Sequence, residues 1–213
     1  MSGEYDTTRW LFADQLGPHF DDGGPLLLIE ARSVFERRIY HRQKAHLILS
    51  ALHHRAEEEP ERVSLIQSAT YAEGVQIYRD SGHANLDAVA GTSRPARRLV
   101  ESLGMSAIHP ERGWFTSPGE FQAWVNGRGD KRLLMEDWYR GVRARHDVLM
   151  TDGKPEGGKW NFDHDNRLPP PKGETHLPLP PPWQPEEDDI DARVRQQLDE
   201  WEADGVRFLG NAG

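Results

Sequence analysis

Asp14 and Gln15, side by side behind the apolar run Trp10-Leu11-Phe12-Ala13, are the first residues whose types and placement suggest chemistry. A carboxylate next to an amide can hold a polar small molecule through accepted and donated hydrogen bonds, with no nucleophile required. The run reads as a short strand, and Gly17-Pro18 turns the chain away, so both residues fall at the strand's carboxyl end. In an open parallel sheet the crevice beyond the strand ends is where ligands settle, so Asp14 and Gln15 are expected to border a small-molecule pocket. The same spacing also allows Asp14 to cap the next element while Gln15 faces water.

A second set is cationic. Arg37, Arg38, His41, Arg42 and Lys44 follow a capping-box pair, Ser33 and Glu36, and precede Ala45, Ile48, Leu49 and Leu52 at helical spacing. This pattern predicts one helix over residues 33–55, whose positive first turns point back toward the strand-end crevice and suit an anionic or hydroxyl-rich ligand. The alternative is a solvated face set against Glu57-Glu58-Glu59. His164 between Asp163 and Asp165 has no spaced partner, and three adjacent side chains converge poorly on one ion, so no metal is expected there. A hydrolase pairing Asp14 with His41, His53 or His54 lacks any supporting nucleophile or metal motif.

The elements that must position these groups read as α/β. Leu26-Leu27-Leu28-Ile29-Glu30 is a continuous apolar run typical of a strand buried on both faces. Residues 62–68 alternate as a third strand, residues 71–78 form a short helix, and residues 86–91 form a fourth strand. Pro95 opens a helix through Leu103 that Gly104 closes, and residues 105–109 supply a fifth strand. Five strands separated by helices predict a Rossmann-like, doubly wound five-stranded parallel sheet. No G-x-G-x-x-G follows the first strand, which argues against a dinucleotide held on a glycine turn.

Two further helices follow, one carrying Phe121, Trp124 and Val125, the other Leu133, Leu134, Trp138, Tyr139 and Val142; their aromatics are expected to pack in a core or an interface. Residues 151–167 are polar and glycine-rich without apolar period, and residues 168–185 form a proline-rich, extended linker. A terminal helix over residues 190–201 has an acidic start that suits its dipole. The predicted organisation is therefore an α/β domain over residues 1–150, then a loop, linker and helix over residues 151–213.

Bulk composition narrows the class. At 213 residues the chain suits one substantial domain plus a tail. A net charge of -9 argues against a surface that grips nucleic acid everywhere. With no cysteine there is no disulfide and no thiolate ligand for a metal or cluster. No apolar run is long enough for a bilayer and the first eight residues have no signal-peptide core, so a cytoplasmic protein with no membrane partner is expected.

Several stretches taken together resemble a known family. They are Leu11-Phe12-Ala13-Asp14-Gln15-Leu16, Tyr40-His41-Arg42-Gln43-Lys44 with Leu49-Ser50-Ala51-Leu52-His53-His54, Thr116-Ser117-Pro118-Gly119-Glu120-Phe121, Met135-Glu136-Asp137-Trp138-Tyr139-Arg140, and Gly157-Gly158-Lys159-Trp160-Asn161-Phe162-Asp163. Their order and spacing resemble the bacterial photolyase and cryptochrome relatives that carry an iron-sulfur cluster, which include the prokaryotic (6-4) photolyases.

The resemblance implies that residues 1–150 are an N-terminal antenna domain and residues 151–213 a linker toward a helical catalytic domain. That domain, which holds FAD, the cluster and the DNA lesion, is not among these residues. It further implies a pocket for 6,7-dimethyl-8-ribityllumazine or a similar antenna pigment, lined by Asp14, Gln15, Leu16, Glu30, Phe35, Tyr40, His41 and Lys44. Trp138, Tyr139, Trp160, Asn161, Phe162 and Asp163 would face the catalytic domain or a separate catalytic chain, through which alone DNA would be reached. The expected role is binding within a light-dependent repair or photoreceptor protein, not catalysis by this portion. A stand-alone Rossmann-like module that binds a nucleotide or a protein and has lost the pigment is the alternative.

Overall fold

A computed structural model describes residues 7–164, 167, 169, 171–173, 179–181, 183 and 185–210. The chain forms two compact units, the first built from residues 1–113 with 185–213 and the second from residues 114–184. The predicted linker over residues 168–185 falls in large part outside the described residues.

The first unit is organised on a five-stranded, all-parallel sheet. Its strands are β1 (Thr8–Leu11), β2 (Leu26–Ala31), β4 (Val63–Ser68), β5 (Leu86–Val89) and β6 (Ala107–His109), in the spatial order β4-β2-β1-β5-β6. Trp10 registers with Leu27 on one side and Ala88 on the other. The sheet is doubly wound because its strands are apolar on both faces. Along β2, Leu27 and Ile29 join Trp10, Phe12, Val75, Tyr78 and Val100 on one face, while Leu26 and Leu28 join Leu11, Phe20, Leu52 and Val89 on the other. Successive side chains alternate across a strand, so a run without polar residues must be covered twice. The first face is covered by α3 (Tyr71–Asp80) and α4 (Arg94–Ser102), the second by α2 (Arg42–Glu58).

The helix predicted over residues 33–55 is two helices. A short α1 (Ser33–Arg37) stops at Arg38, which is extended at φ -132°, and Tyr40–His41 form a strand, β3, before α2 begins. The partner of β3 is β9 (Phe208–Leu209), paired in parallel. Glu36 does not close a capping box on Ser33; it takes the Arg32 guanidinium at 3.0 Å. The fourth and fifth strands are shorter than predicted, ending at Val89 and starting at Ala107. Gly91 no longer belongs to a strand because it packs against Ala96 of α4, where an added Cβ would fall 2.5 Å from the Ala96 Cβ.

The terminal helix α7 (Asp189–Ala203) belongs to this unit. Ile190, Val194, Leu198 and Trp201 form a third core with Phe35, Ala45, Leu49 and Val206. Arg42, nearly buried, reaches from α2 to Asp199, Glu202 and the Arg195 carbonyl. Asp188 caps α7 through a full capping box with Asp191.

The second unit holds α5 (Pro118–Arg128), α6 (Met135–His146) and a small antiparallel hairpin, β7 (Met150–Thr151) with β8 (Lys154–Pro155). The hairpin reaches into the stretch from residue 151 read as a polar loop without apolar period, and a two-residue ladder needs no such period. Phe121, Trp124 and Trp138 meet with ring centroids 5.2–5.6 Å apart. Among the described residues no helix is long and apolar enough to cross a membrane.

An ion cluster ties the turn after β1 to the far end of α2. Arg62 grips Asp21 with both terminal nitrogens at 2.7 and 2.8 Å, and Arg55 adds a third contact at 2.6 Å. The Arg62 hydrogen bonds, outweighing partial burial, lower the Asp21 carboxyl from 3.8 to about 2. A depressed folded-state value stabilises above the unfolded value and is lost as pH falls from about 4 through about 2. The contribution is about 2 kcal/mol at neutral pH. Urea denaturation of the native chain and Asp21→Asn should therefore differ by about that amount at pH 6 and converge near pH 2. A constant difference across the range rules the ion cluster out as its source.

Candidate functional site

A cavity of about 590 Å³ opens at the carboxyl ends of the strands. Phe12, Ala13 and Asp14 enter it from the end of β1, Ser33, Val34 and Arg37 from the segment after β2, and Thr70, Tyr71 and Ala72 from the start of α3. Ser93, Pro95, Ala96 and Leu99 close it from α4, and Tyr40, Lys44 and Ile48 from β3 and α2. Between β1 and β5 the direction of strand addition reverses, which leaves the loops on either side splayed and a crevice between them. The cavity occupies that position for a topological reason. At this volume it lies within the range of small-molecule sites, roughly 300–1,000 Å³.

Its floor is aromatic. Phe12 meets Tyr71 edge-on at 5.3 Å and Trp10 at 4.6 Å, and Trp10 and Tyr71 are 5.5 Å apart. Its rim is charged. Asp14 accepts a hydrogen bond from Thr92 at 3.0 Å, which links the loop after β1 to the loop after β5. Lys44 Nζ lies 5.9 Å from the Tyr40 ring centre. Burial raises the Tyr71 phenol to about 12, with Tyr40 and Asp14 adding to the shift and Arg37 opposing it. Tyr71 therefore keeps its proton at any physiological pH and is available as a hydrogen-bond donor inside an apolar wall.

The predicted pocket residues divide. Asp14, Tyr40 and Lys44 come together on the cavity. Gln15 does not: it is fully buried, its Oε1 accepts from the Phe12 amide at 3.1 Å, and its Nε2 points to the Val89 and Ala90 carbonyls. It holds the ends of β1 and β5 together from inside. Leu16 packs with the core on the α2 face and borders a different hollow beside Asp21 and Arg62. Phe35 is core, in tilted ring contacts with Tyr40 and Trp201. His41 caps α2, accepting from the Gln43 amide at 3.3 Å. Glu30, 2 % exposed, turns to a separate cleft where His53 contacts it at 2.8 Å and Gln67 and Gln197 donate to it.

The basic set divides as well. Arg37 and Lys44 reach the cavity, Arg42 turns away to the carboxylates of α7, and Arg38 is exposed. None of His41, His53 or His54 lines the cavity, so the pairing of a histidine with Asp14 is not formed. Sequence reasoning passed over Phe12, Ile48, Tyr71, Ser93 and Leu99. Their only signal was position: each lies just after a strand or in the first turns of a helix, where the switch-point rule directs attention once the strand order is known.

In the second unit the residues expected to face a catalytic partner are occupied in part by local packing. The Trp160 carbonyl accepts from Arg143 at 2.9 Å, Tyr139 shares that guanidinium, and Asn161 donates to Glu136 at 3.1 Å. Trp138 is in the aromatic cluster. Phe162 packs beside Gly157, whose positive φ of 67° favours glycine and where an added Cβ would fall 2.8 Å from the tip of the ring. Asp163 is exposed.

A five-stranded parallel α/β sheet with an aromatic-floored, charge-rimmed cavity at its switch point defines a Rossmann-like domain. The family model described as deoxyribodipyrimidine photo-lyase-related protein matches residues 9–206, and the chain belongs to that family. A stretch of 62 residues, 29 % of this chain, is 45 % identical to a (6-4) photolyase of Agrobacterium fabrum (strain C58 / ATCC 33970) and covers 12 % of that protein's length.

Proposed function

We propose that this chain is the antenna portion of a photolyase-related protein and holds a ribityl-lumazine-type pigment in the strand-end cavity. The observation that carries the reading is the cavity's composition: a flat heterocycle fits against Phe12 and Tyr71, while Asp14, Arg37, Lys44 and Ser93 offer partners for ring carbonyls and ribityl hydroxyls. When bound, such a pigment absorbs light and passes the excitation on. The chain's own part is to bind it, orient it and exclude water, for which no nucleophile or acid-base pair is needed. These 213 residues contain no cysteine to ligate the iron-sulfur cluster that the resemblance implies alongside FAD. Those groups belong in this reading to a catalytic domain or chain that also meets DNA.

The test is a fluorescence titration of the purified chain with 6,7-dimethyl-8-ribityllumazine and, separately, with FMN. Saturable lumazine binding is expected, and Arg37→Glu combined with Lys44→Glu should weaken it by roughly tenfold or more. A colourless preparation that binds neither compound refutes the reading. Binding that ignores the double charge reversal moves the pigment out of this cavity.

A further inference from the structure

Where α2 meets α7 there is a second group of ionisable side chains, none of which lines the cavity. His54, Asp188 and Asp191 each present one donor atom, and these atoms all lie within 4.8 Å of one another. The capping box of α7 engages only one oxygen of each carboxylate. Asp188 Oδ1 accepts from the Ile190 and Asp191 amides, and Asp191 Oδ2 accepts from the Asp188 amide. The remaining oxygens face histidines. Asp188 Oδ2 is 3.1 Å from His54 Nε2, and Asp191 Oδ1 is 3.7 Å from His46 Nε2.

The imidazole of His54 is oriented from behind. Its Nδ1 donates to the Ser50 carbonyl at 2.7 Å, which turns Nε2 toward the carboxylates. Proteins orient metal-ligating histidines by this kind of backbone contact on the other ring nitrogen. His46 plays a lesser part, since its Nε2 donates to the Asp191 carbonyl at 3.2 Å. An independent sign comes from Ser50 itself. The residue is 6 % exposed and its hydroxyl faces the Asp191 carboxylate, yet Oγ has no well-formed hydrogen bond among the described residues. A buried hydroxyl in that condition is uncommon in native structures and points to a bound water or ion.

We propose that His54, Asp188 and Asp191 form a divalent transition-metal site, suited to Zn²⁺, that fastens α7 to α2. One imidazole nitrogen with two carboxylate oxygens matches the donor preferences of zinc, and water completes the shell. Calcium would call for six or more oxygens, which these three residues do not supply. The 3.1 Å between His54 Nε2 and Asp188 Oδ2 is close to the ~3.4 Å edge of a tetrahedron with ~2.1 Å bonds. The ligands come from residue 54 and residues 188 and 191, so the site closes a long loop of chain and is absent from the unfolded state.

The full chain, stripped with a chelator and titrated with ZnCl₂ by calorimetry at neutral pH, is expected to take up one Zn²⁺. A hundredfold excess over Kd should raise the unfolding midpoint by roughly 5 °C, while CaCl₂ leaves it unchanged. His54→Gln removes the nitrogen ligand. Asp188→Asn keeps a side chain able to cap α7 but removes the charge. Each is expected to weaken zinc binding by roughly tenfold or more. The absence of saturable binding overturns the proposal and leaves a protonated imidazole as the group that clasps the two carboxylates. Binding of equal strength in both variants also overturns it, by locating the metal elsewhere. Neither result bears on the pigment cavity, which shares no residue with this cluster.

Discussion

Replacing Gln15 with Leu is expected to destabilise the first unit by about 3 kcal/mol, because the amide's three backbone partners lose their hydrogen bonds in a site closed to water. The Phe12 amide and the carbonyls of Val89 and Ala90 lie at the ends of β1 and β5, and Gln15 spans them with no exposed surface. Leucine has nearly the same volume, so the loss is one of polar satisfaction and not of packing. Urea denaturation should show the midpoint falling with the slope unchanged. Amide exchange at Phe12 should accelerate, since its acceptor has gone. Affinity for the proposed pigment should fall as a secondary effect, through a displaced Asp14. If Gln15 instead touched a ligand directly, Gln15→Leu would leave the stability of the ligand-free chain intact and lower affinity alone. That outcome would overturn its assignment as a brace between two strands.

Leu198→Ala carries the second large effect, a loss of about 3 kcal/mol from the core between α2 and α7. Leu198 is fully buried among Phe35, Leu49, Val194 and Trp201. Removing three carbons there leaves a hollow that a helix pinned at both ends cannot collapse. One end is held by the capping box at Asp188, and the other by Arg42 with Asp199 and Glu202. Exchange protection across Asp189–Ala203 should drop together with that of Arg42–Glu58, because the two helices share one core. Gln196→Ala, at an exposed position of the same helix, is the control and should change stability by under about 0.5 kcal/mol. If α7 were only a tail beside the domain, Leu198→Ala would loosen that helix while α2 kept its protection.

This integration of α7 bears on the cavity. Phe35 packs against both Tyr40 and Trp201, and Tyr40 sits on β3, whose pairing partner is β9. The last described segment of the chain therefore holds one wall of a cavity whose first residue is Phe12. Val34, Tyr40 and Ile48 of the cavity lining pack against the same core as α7, so a change at α7 is expected to reach that wall through packed side chains and a two-residue ladder.

Much of the first unit was legible in the residues themselves. Apolar runs of four to six residues without alternation dictate strands covered on both faces, and such strands read from local pattern alone. The position of Asp14 at a strand end follows from the same patterns. The helix break at Arg38 did not follow, because what stabilises Tyr40–His41 as a strand is Phe208–Leu209, some 170 residues later in the chain. Local helical spacing has no access to a partner at that distance.

The site divides along the same line. The strand-end pattern placed Asp14 at the crevice and the cationic set placed Lys44 facing it, while Tyr40 followed only from the family resemblance. Gln15 and Glu30 have equally suitable chemistry and equally suitable positions, but the turn over Phe12–Gln15 folds the Gln15 side chain back onto the Phe12 amide, and period-2 alternation along β2 turns Glu30 to another cleft. Tyr71, Ser93 and Leu99 carry no chemical signature and become cavity residues only because strand order β4-β2-β1-β5-β6 brings α3 and α4 over the end of β1. The sequence by itself thus determined the class of fold and the end of the sheet where the cavity opens. Which side chains face the cavity was decided by tertiary structure, because that depends on strand order and on pairings between segments far apart in the chain.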